Sequence, residues 1–171
     1  LANFAATIAN RGWYITPHFV KKIENDSINN DFKKKNTTLI ESQHFEPIIK
    51  GMVDVIDIGT AKNSRINDIK IAGKTGTAEN FVRIDGIRKQ LTDHSIFIGF
   101  APADDPKIAI CVFIENGYWG SRWAAPISSL IIEKYIKKEI NRNWLEKYIL
   151  DGDLSTEYLK PYLTTNFKIN E

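Results

Sequence analysis

Residues 94 to 115 constrain the fold more than any other stretch. They hold two β-branched, apolar runs, "HSIFIGFA" and "KIAICVFIE", separated by "PADDP". Two prolines and two aspartates make a tight reversal, so the runs are expected to pair as an antiparallel hairpin. A third strand is expected over about 69 to 79, and residues 80 to 93 between it and the hairpin are long enough to carry an excursion. After the hairpin, Ile127, Leu130, Ile131 and Tyr135 share one face of a helix over about Ala125 to Ile140, whose lysine-rich end suits the helix dipole. One face of the sheet is expected to pack on this helix.

Upstream, Leu1, Phe4, Ala5, Ile8 and Ala9 follow helical spacing from the first residue, and Gly12 can take the left-handed conformation that ends a helix. A start directly inside a helical pattern leads us to expect an excised piece. "WYITPHFVKKI" reads as extended, with Pro17 confining it to an edge or bend, and residues 24 to 38 read as a solvated loop whose triple lysine serves solubility. A second amphipathic helix is expected from Gln43 to Val55, capped by Ser42, with Phe45, Ile48, Ile49, Met52, Val53 and Ile56 as its core stripe. "IGTAKNSRIND" reads as a connection. The tail from residue 141 has a short helical stretch up to Gly152 and then frays into Pro and Thr.

Composition narrows the function classes. The 23 basic and 21 acidic residues leave a net charge of +2, too weak a field to hold a phosphate backbone, so nucleic acid is not expected as a partner. Cys111 cannot form an internal disulfide and reads as a small buried hydrophobe. No apolar stretch approaches the roughly 20 residues that cross a bilayer. Any membrane anchor is expected to lie outside this chain. His18, His44 and His94 are too scattered for metal-ligand spacing, so no metal or other cofactor is expected. His94 is expected to form a capping or hydrogen-bonding pair with Asp93.

"DIKIAGKTGTAEN", residues 68 to 80, carries the chemistry. Its "GKT" resembles the end of a phosphate-binding loop, but that loop needs a glycine where Asp68 stands, and "IKIA" is a strand sequence that cannot curl around phosphates. The overlapping "KTGT" fits an active-site strand instead. Lys74 offers a cation, Gly76 lets a peptide approach closely, and Thr75 and Thr77 are short donors able to hold a carboxylate. Strand alternation puts Thr75 and Thr77 on one face, opposite Lys74 and Gly76, so a twist or bulge near Gly76 is needed if all four serve one site.

"LANFAATIANRGWYITPHFVKKI", "KIAGKTGTAEN", "DHSIFIGFAPADDPKIAICVFIENG" and the helix beginning "AAPISSLI" together resemble, in order and spacing, the C-terminal half of the transpeptidase domain of class B penicillin-binding proteins. The resemblance is closest to the penicillin-binding protein 2 type that serves cell elongation. It covers residues 1–140 and leaves 141–171 as a helical and irregular tail. It implies an α+β fold, an α/β sandwich with a mostly antiparallel sheet flanked by helices, as in β-lactamase-like enzymes. It also implies acyl transfer, in which a serine attacks the D-alanyl-D-alanine bond of a peptidoglycan stem peptide and the acyl group passes to an amine of a neighbouring stem. By position, Lys74 would be the cation of the third motif and the Thr77 backbone amide an oxyanion-hole donor. Thr75, Gly76 and Thr77 would hold the substrate. The implied partners are stem peptides, β-lactam antibiotics and, through the full-length parent, elongation-machinery proteins. The implied location is the periplasmic face of the cytoplasmic membrane.

Such enzymes also need S-x-x-K for nucleophile and base, and S-x-N for proton relay. No serine of this chain has a lysine three residues on, so the nucleophile is expected outside it and the isolated chain is expected to be inactive. The one S-x-N, Ser27 to Asn29, sits in the hydrophilic loop and reads as chance. "ENGYWGSRW", residues 115 to 123, could rim a substrate groove or pack its aromatics on the surface. The alternatives are a β-lactam sensor or β-lactamase-related serine-acyl domain, and a non-catalytic fragment or binding module.

Overall fold

The computed structural model describes residues 1–24 and 28–158. Strand β3 (Ala72–Ala78), β6 (His94–Ala101) and β7 (Ile108–Ile114) form one antiparallel sheet in the order β3-β6-β7. Helix α1 (Ala2–Ala9) and most of α2 (Phe45–Asp57) cover one face, and α3 (Ala124–Lys137) covers the other. The period-two alternation of β6 makes both layers possible: Phe97 is buried towards α3, and Phe100 is buried among Ile8, Phe45 and Met52 on the opposite face. Burying an aromatic of this size contributes about 1.5–3 kcal/mol. The α+β sandwich expected from the sequence is present, with the hairpin of β6 and β7 where the two apolar runs placed it.

Helix α1 ends as expected, with Arg11 and Gly12 both at positive φ. The solvated loop is more ordered than its composition suggests. Within it, β2 (Lys35–Thr37) pairs antiparallel with β1 (Trp13–Ile15), and Lys35 stacks its ammonium 4.1 Å from the Trp13 ring centroid. That lysine packs as well as solvates. Ser27 lies outside the described residues. The excursion between β3 and β6 is a second hairpin, β4 (Phe81–Ile84) and β5 (Ile87–Gln90), turned by Asp85 and Gly86 at positive φ. Asp-Gly is the sequence signal for such a turn.

Three helix expectations are corrected. Ser42 begins a 3-10 turn, Ser42–His44, rather than capping α2, because that turn sets α2 back to Phe45. Ile48 is exposed, since only the side of α2 carrying Phe45, Ile49, Met52, Val53 and Ile56 meets the sheet. On α3, Ile131 and Tyr135 face solvent, while Ala124, Ala125, Ser128, Ser129, Leu130, Ile132 and Glu133 are buried. Small residues win that face because they let the helix approach the sheet closely, and both serine hydroxyls donate to backbone carbonyls one turn back, at Ala124 and Pro126. Cys111 is half-buried rather than buried. The tail forms α4 (Asn143–Leu150) and, past Gly152, a helical turn over 155–158 that includes Thr156 rather than a fray there, while Pro161, Thr164 and Thr165 lie outside the described residues.

Arg142, at the start of α4, closes this side of the fold. Its Nε donates to Glu133 Oε2 at 2.9 Å, and Nη1 reaches Ser129 Oγ and the carbonyls of Ser64 and Arg65. Nearby, Lys137 Nζ donates to Asp68 at 2.6 Å, and that hydrogen bond holds the exposed Asp68 carboxyl below its ordinary value of 3.8. A folded pKa lowered in this way contributes stability above the unfolded value and loses it as pH falls through the folded one. Asp68→Asn should therefore be slightly less stable than wild type at neutral pH and converge with it in melts taken well below pH 3.8.

Candidate active site

The K-T-G-T run, residues 74–77, lies within β3, which stands at one edge of its sheet. Its register is unbroken, from Ala72 opposite Phe100 to Ala78 opposite His94, so there is no bulge at Gly76. Alternation holds: Thr75 and Thr77 lie opposite Phe97 and Ser95, and Lys74 and Gly76 lie opposite Ile98 and Ile96. The apparent conflict disappears because β3 is at the edge. Side chains from both faces flank one open rim, so no twist is needed to bring Lys74, Thr75 and Thr77 to a ligand lying along it.

Lys74 is exposed, and among the described residues it takes part in no ion pair; its Nζ donates only to the Thr75 carbonyl, at 2.7 Å. A lone cation beside two hydroxyls suits an incoming carboxylate or developing oxyanion. A methyl group built on Gly76 would meet only the Ile96 side chain, at 3.5 Å, which is ordinary contact. The glycine is not required by its own fold at this point. Gly73 differs, since any side chain there would enter the Phe97 ring.

The strand is backed by the segment ahead of α3. Gly120 lies against the β3 backbone so closely that a methyl on it would come within 2.7 Å of Gly76 O and 3.0 Å of Gly76 N. The buried Ser95 hydroxyl fastens this backing by donating to Trp119 O at 2.9 Å and accepting from Ala124 N at 3.2 Å. Tyr118 N donates to Asp93 O at 2.7 Å. The aromatics of this segment divide their roles. Trp119 is exposed with its ring tilted against that of Tyr118, whereas Trp123 is buried and stacked on Tyr148.

Beyond Thr77, Asn80 ties the strand end to this segment through Nδ2, which donates to Asn116 Oδ1 at 2.6 Å and to Thr92 O at 3.2 Å. His94 does not pair with Asp93. Its Nδ1 accepts from Asn116 N at 3.2 Å and its ring packs on Phe113, while the Asp93 carboxylate accepts from Asn80 N and Gln90 Nε2. The connection after α2 also reaches the site, where Thr60 Oγ1 lies 2.9 Å from Thr75 Oγ1. Beside it opens a cavity of about 550 Å³ lined by Lys62, Asn63, Ser121 and Arg122. Neither Thr60 nor Gly120 is visible in the sequence as a site residue, because each meets β3 only through long-range packing.

The Penicillin binding protein transpeptidase domain family matches residues 1–133. The peptidoglycan D,D-transpeptidase MrdA of Acinetobacter baumannii is 31% identical over 94% of this chain and 25% of its own length. MrdA of Haemophilus influenzae is 29% identical over 86% of this chain and 24% of its own. The chain thus spans about a quarter of the length of these relatives. Among solved structures, Pseudomonas aeruginosa PBP2 in complex with WCK 5153 superposes with a TM-score of 0.63 at 29% identity, covering 84% of this chain and 31% of that one. The imipenem acyl-enzyme complex of penicillin-binding protein A from M. tuberculosis gives 0.61 at 31% identity, covering 79% and 29%.

Proposed function

The chain belongs to the penicillin-binding protein transpeptidase domain family, and from that premise we propose that it supplies the substrate-binding strand of a peptidoglycan D,D-transpeptidase of the elongation type. The observation that carries this reading is Lys74, without an ion-pair partner among the described residues, beside Thr75 and Thr77 on the open rim of β3.

In the reaction, a serine oxygen bonds to the carbonyl carbon of the penultimate D-alanine, and the electron pair of the C=O bond moves to oxygen. Collapse of that intermediate breaks the C–N bond, and the terminal D-alanine leaves with a proton on its amine. An amine from a neighbouring stem then takes the acyl group and releases the serine. Lys74 and the Thr77 backbone amide stabilise the oxyanion, and the hydroxyls of Thr75 and Thr77 hold the terminal carboxylate. A β-lactam follows the first half of this route, because its ring amide takes the place of the scissile bond. The serine and its lysine come from an S-x-x-K motif, which no serine of these 171 residues begins, and the relay serine and asparagine from an S-x-N other than Ser27 to Asn29. The complete enzyme acts at the periplasmic face of the cytoplasmic membrane, with elongation-machinery proteins as partners. Similarity to MrdA supports that placement.

Gly76→Ala tests the reading. The methyl has room within the chain, so the melting temperature should not move, whereas a substrate backbone lying on the strand would be pushed away. In the complete enzyme, the second-order rate of acylation by a fluorescent penicillin is expected to fall about tenfold, or about 1.4 kcal/mol. Near wild-type acylation would mean that no peptide lies against β3.

A further inference from the structure

The hydroxyl of Thr60 stands 2.9 Å from that of Thr75 although the two residues are far apart in sequence. The backbone around Thr60 has little freedom. Gly59 packs so closely on the last turn of α2 that a methyl there would come within 2.7 Å of Val55 Cα, and its N–H donates to Asp54 O at 2.8 Å. Ala61 on the other side is buried in the α3-facing core and donates to Val55 O at 3.0 Å. A side chain that is itself exposed is therefore carried on a fixed backbone and aimed at Thr75.

We propose that Thr60 is a positioning residue for ligand binding, acting through Thr75; the inference rests on the reading of Thr75 as a carboxylate holder. Two hydroxyls share two protons, and their mutual hydrogen bond uses one. A carboxylate only accepts, so when one sits at Thr75 it must receive the Thr75 proton, and the mutual bond must then be donated by Thr60. The Thr60 proton fills a lone pair of Thr75 Oγ1, which fixes the Thr75 rotor towards the ligand and polarises its O–H. Without Thr60, the Thr75 hydroxyl can turn to water or to a nearby carbonyl, and each binding event must reorient it. Because the pair is largely solvent-exposed, it contributes little to folding, and its effect is confined to ligands that bear the carboxylate.

The test uses the complete enzyme with a penicillin and with the methyl ester of that penicillin, in which the carboxylate charge is removed. Thr60→Val should slow acylation by the acid about tenfold and by the ester less than about twofold, the loss of one charge-assisted hydrogen bond's orientation. Thr60→Ser, which keeps the hydroxyl, should restore the acid rate, and the melting temperatures of all variants should agree. In a Thr75→Val background, Thr60→Val should add nothing. Equal slowing of acid and ester, a wild-type rate in Thr60→Val, or a further loss in the Thr75→Val background would each overturn the proposal. If Thr75→Val itself acylates normally, the carboxylate-holding role of Thr75 falls and this inference falls with it. A slow Thr75→Val beside a normal Thr60→Val removes the inference alone.

Discussion

Lys74→Ala is expected to slow acylation of the complete enzyme by penicillin at least about a hundredfold, because removing one preorganised partner of a developing oxyanion costs about 3 kcal/mol. The size of the effect follows from what Lys74 lacks. Among the described residues no carboxylate pairs with it, and its ammonium rests on the carbonyl of its own neighbour, Thr75. A ligand carboxylate or oxyanion would therefore meet a cation that need not first be drawn away from a competing anion. The second-order acylation rate measures this directly, and a loss below threefold would remove Lys74 from the site. Lys74→Arg separates charge from shape. If position matters as well as sign, the bulkier planar group should recover only part of the rate.

The second large effect is on stability. Glu133 is fully buried on α3 and depends on Arg142, whose side chain is itself mostly buried, for its short charged hydrogen bond; Lys137 stands farther off, at 3.9 Å. Arg142→Met should cost about 3–5 kcal/mol in urea unfolding, because it leaves a buried carboxylate without its close partner. The same change also frees the carbonyls of Ser64 and Arg65, which lie on the approach to β3. Glu133→Met combined with Arg142→Met should recover most of the loss, since replacing both ends of a buried pair by apolar groups is often close to neutral. A double variant as unstable as the single one would locate the cost in the lost carbonyl contacts instead.

The sequence was legible where a pattern is local. The hairpin of β6 and β7, the stripe of α2 and the K-T-G-T strand each announce themselves within a few residues, and each lies where expected except that Ile48 of the stripe is exposed. Features set by distant neighbours were not legible. Hydrophobicity assigns the face of α3 to Ile127, Leu130, Ile131 and Tyr135, and of these Leu130 is buried and Ile127 half-buried. Ile131 and Tyr135 are exposed instead, and Ser128, Ser129 and Glu133 share the buried face because Arg142 and backbone carbonyls satisfy their polar atoms. The pairing of β2 with β1 was hidden because its strand is written in Lys, Asn and Thr. Of the candidate site, the K-T-G-T strand was visible, whereas Thr60 reaches Thr75 from the end of α2 and Gly120 reaches Gly76 from ahead of α3. No residue-level signal marks either approach.

The outermost position of β3 has a consequence for life in a crowded compartment. An unpaired strand rim is open to an edge strand of any other chain, and flat, small-residue strands are the ones that recruit such neighbours. Over Ala72–Ala78 the only charged side chain is that of Lys74. A lysine at a strand rim discourages sheet-to-sheet joining, since a second copy would have to bury or oppose its charge. The cation proposed to receive the ligand would thus also keep the strand from being taken by the wrong chain.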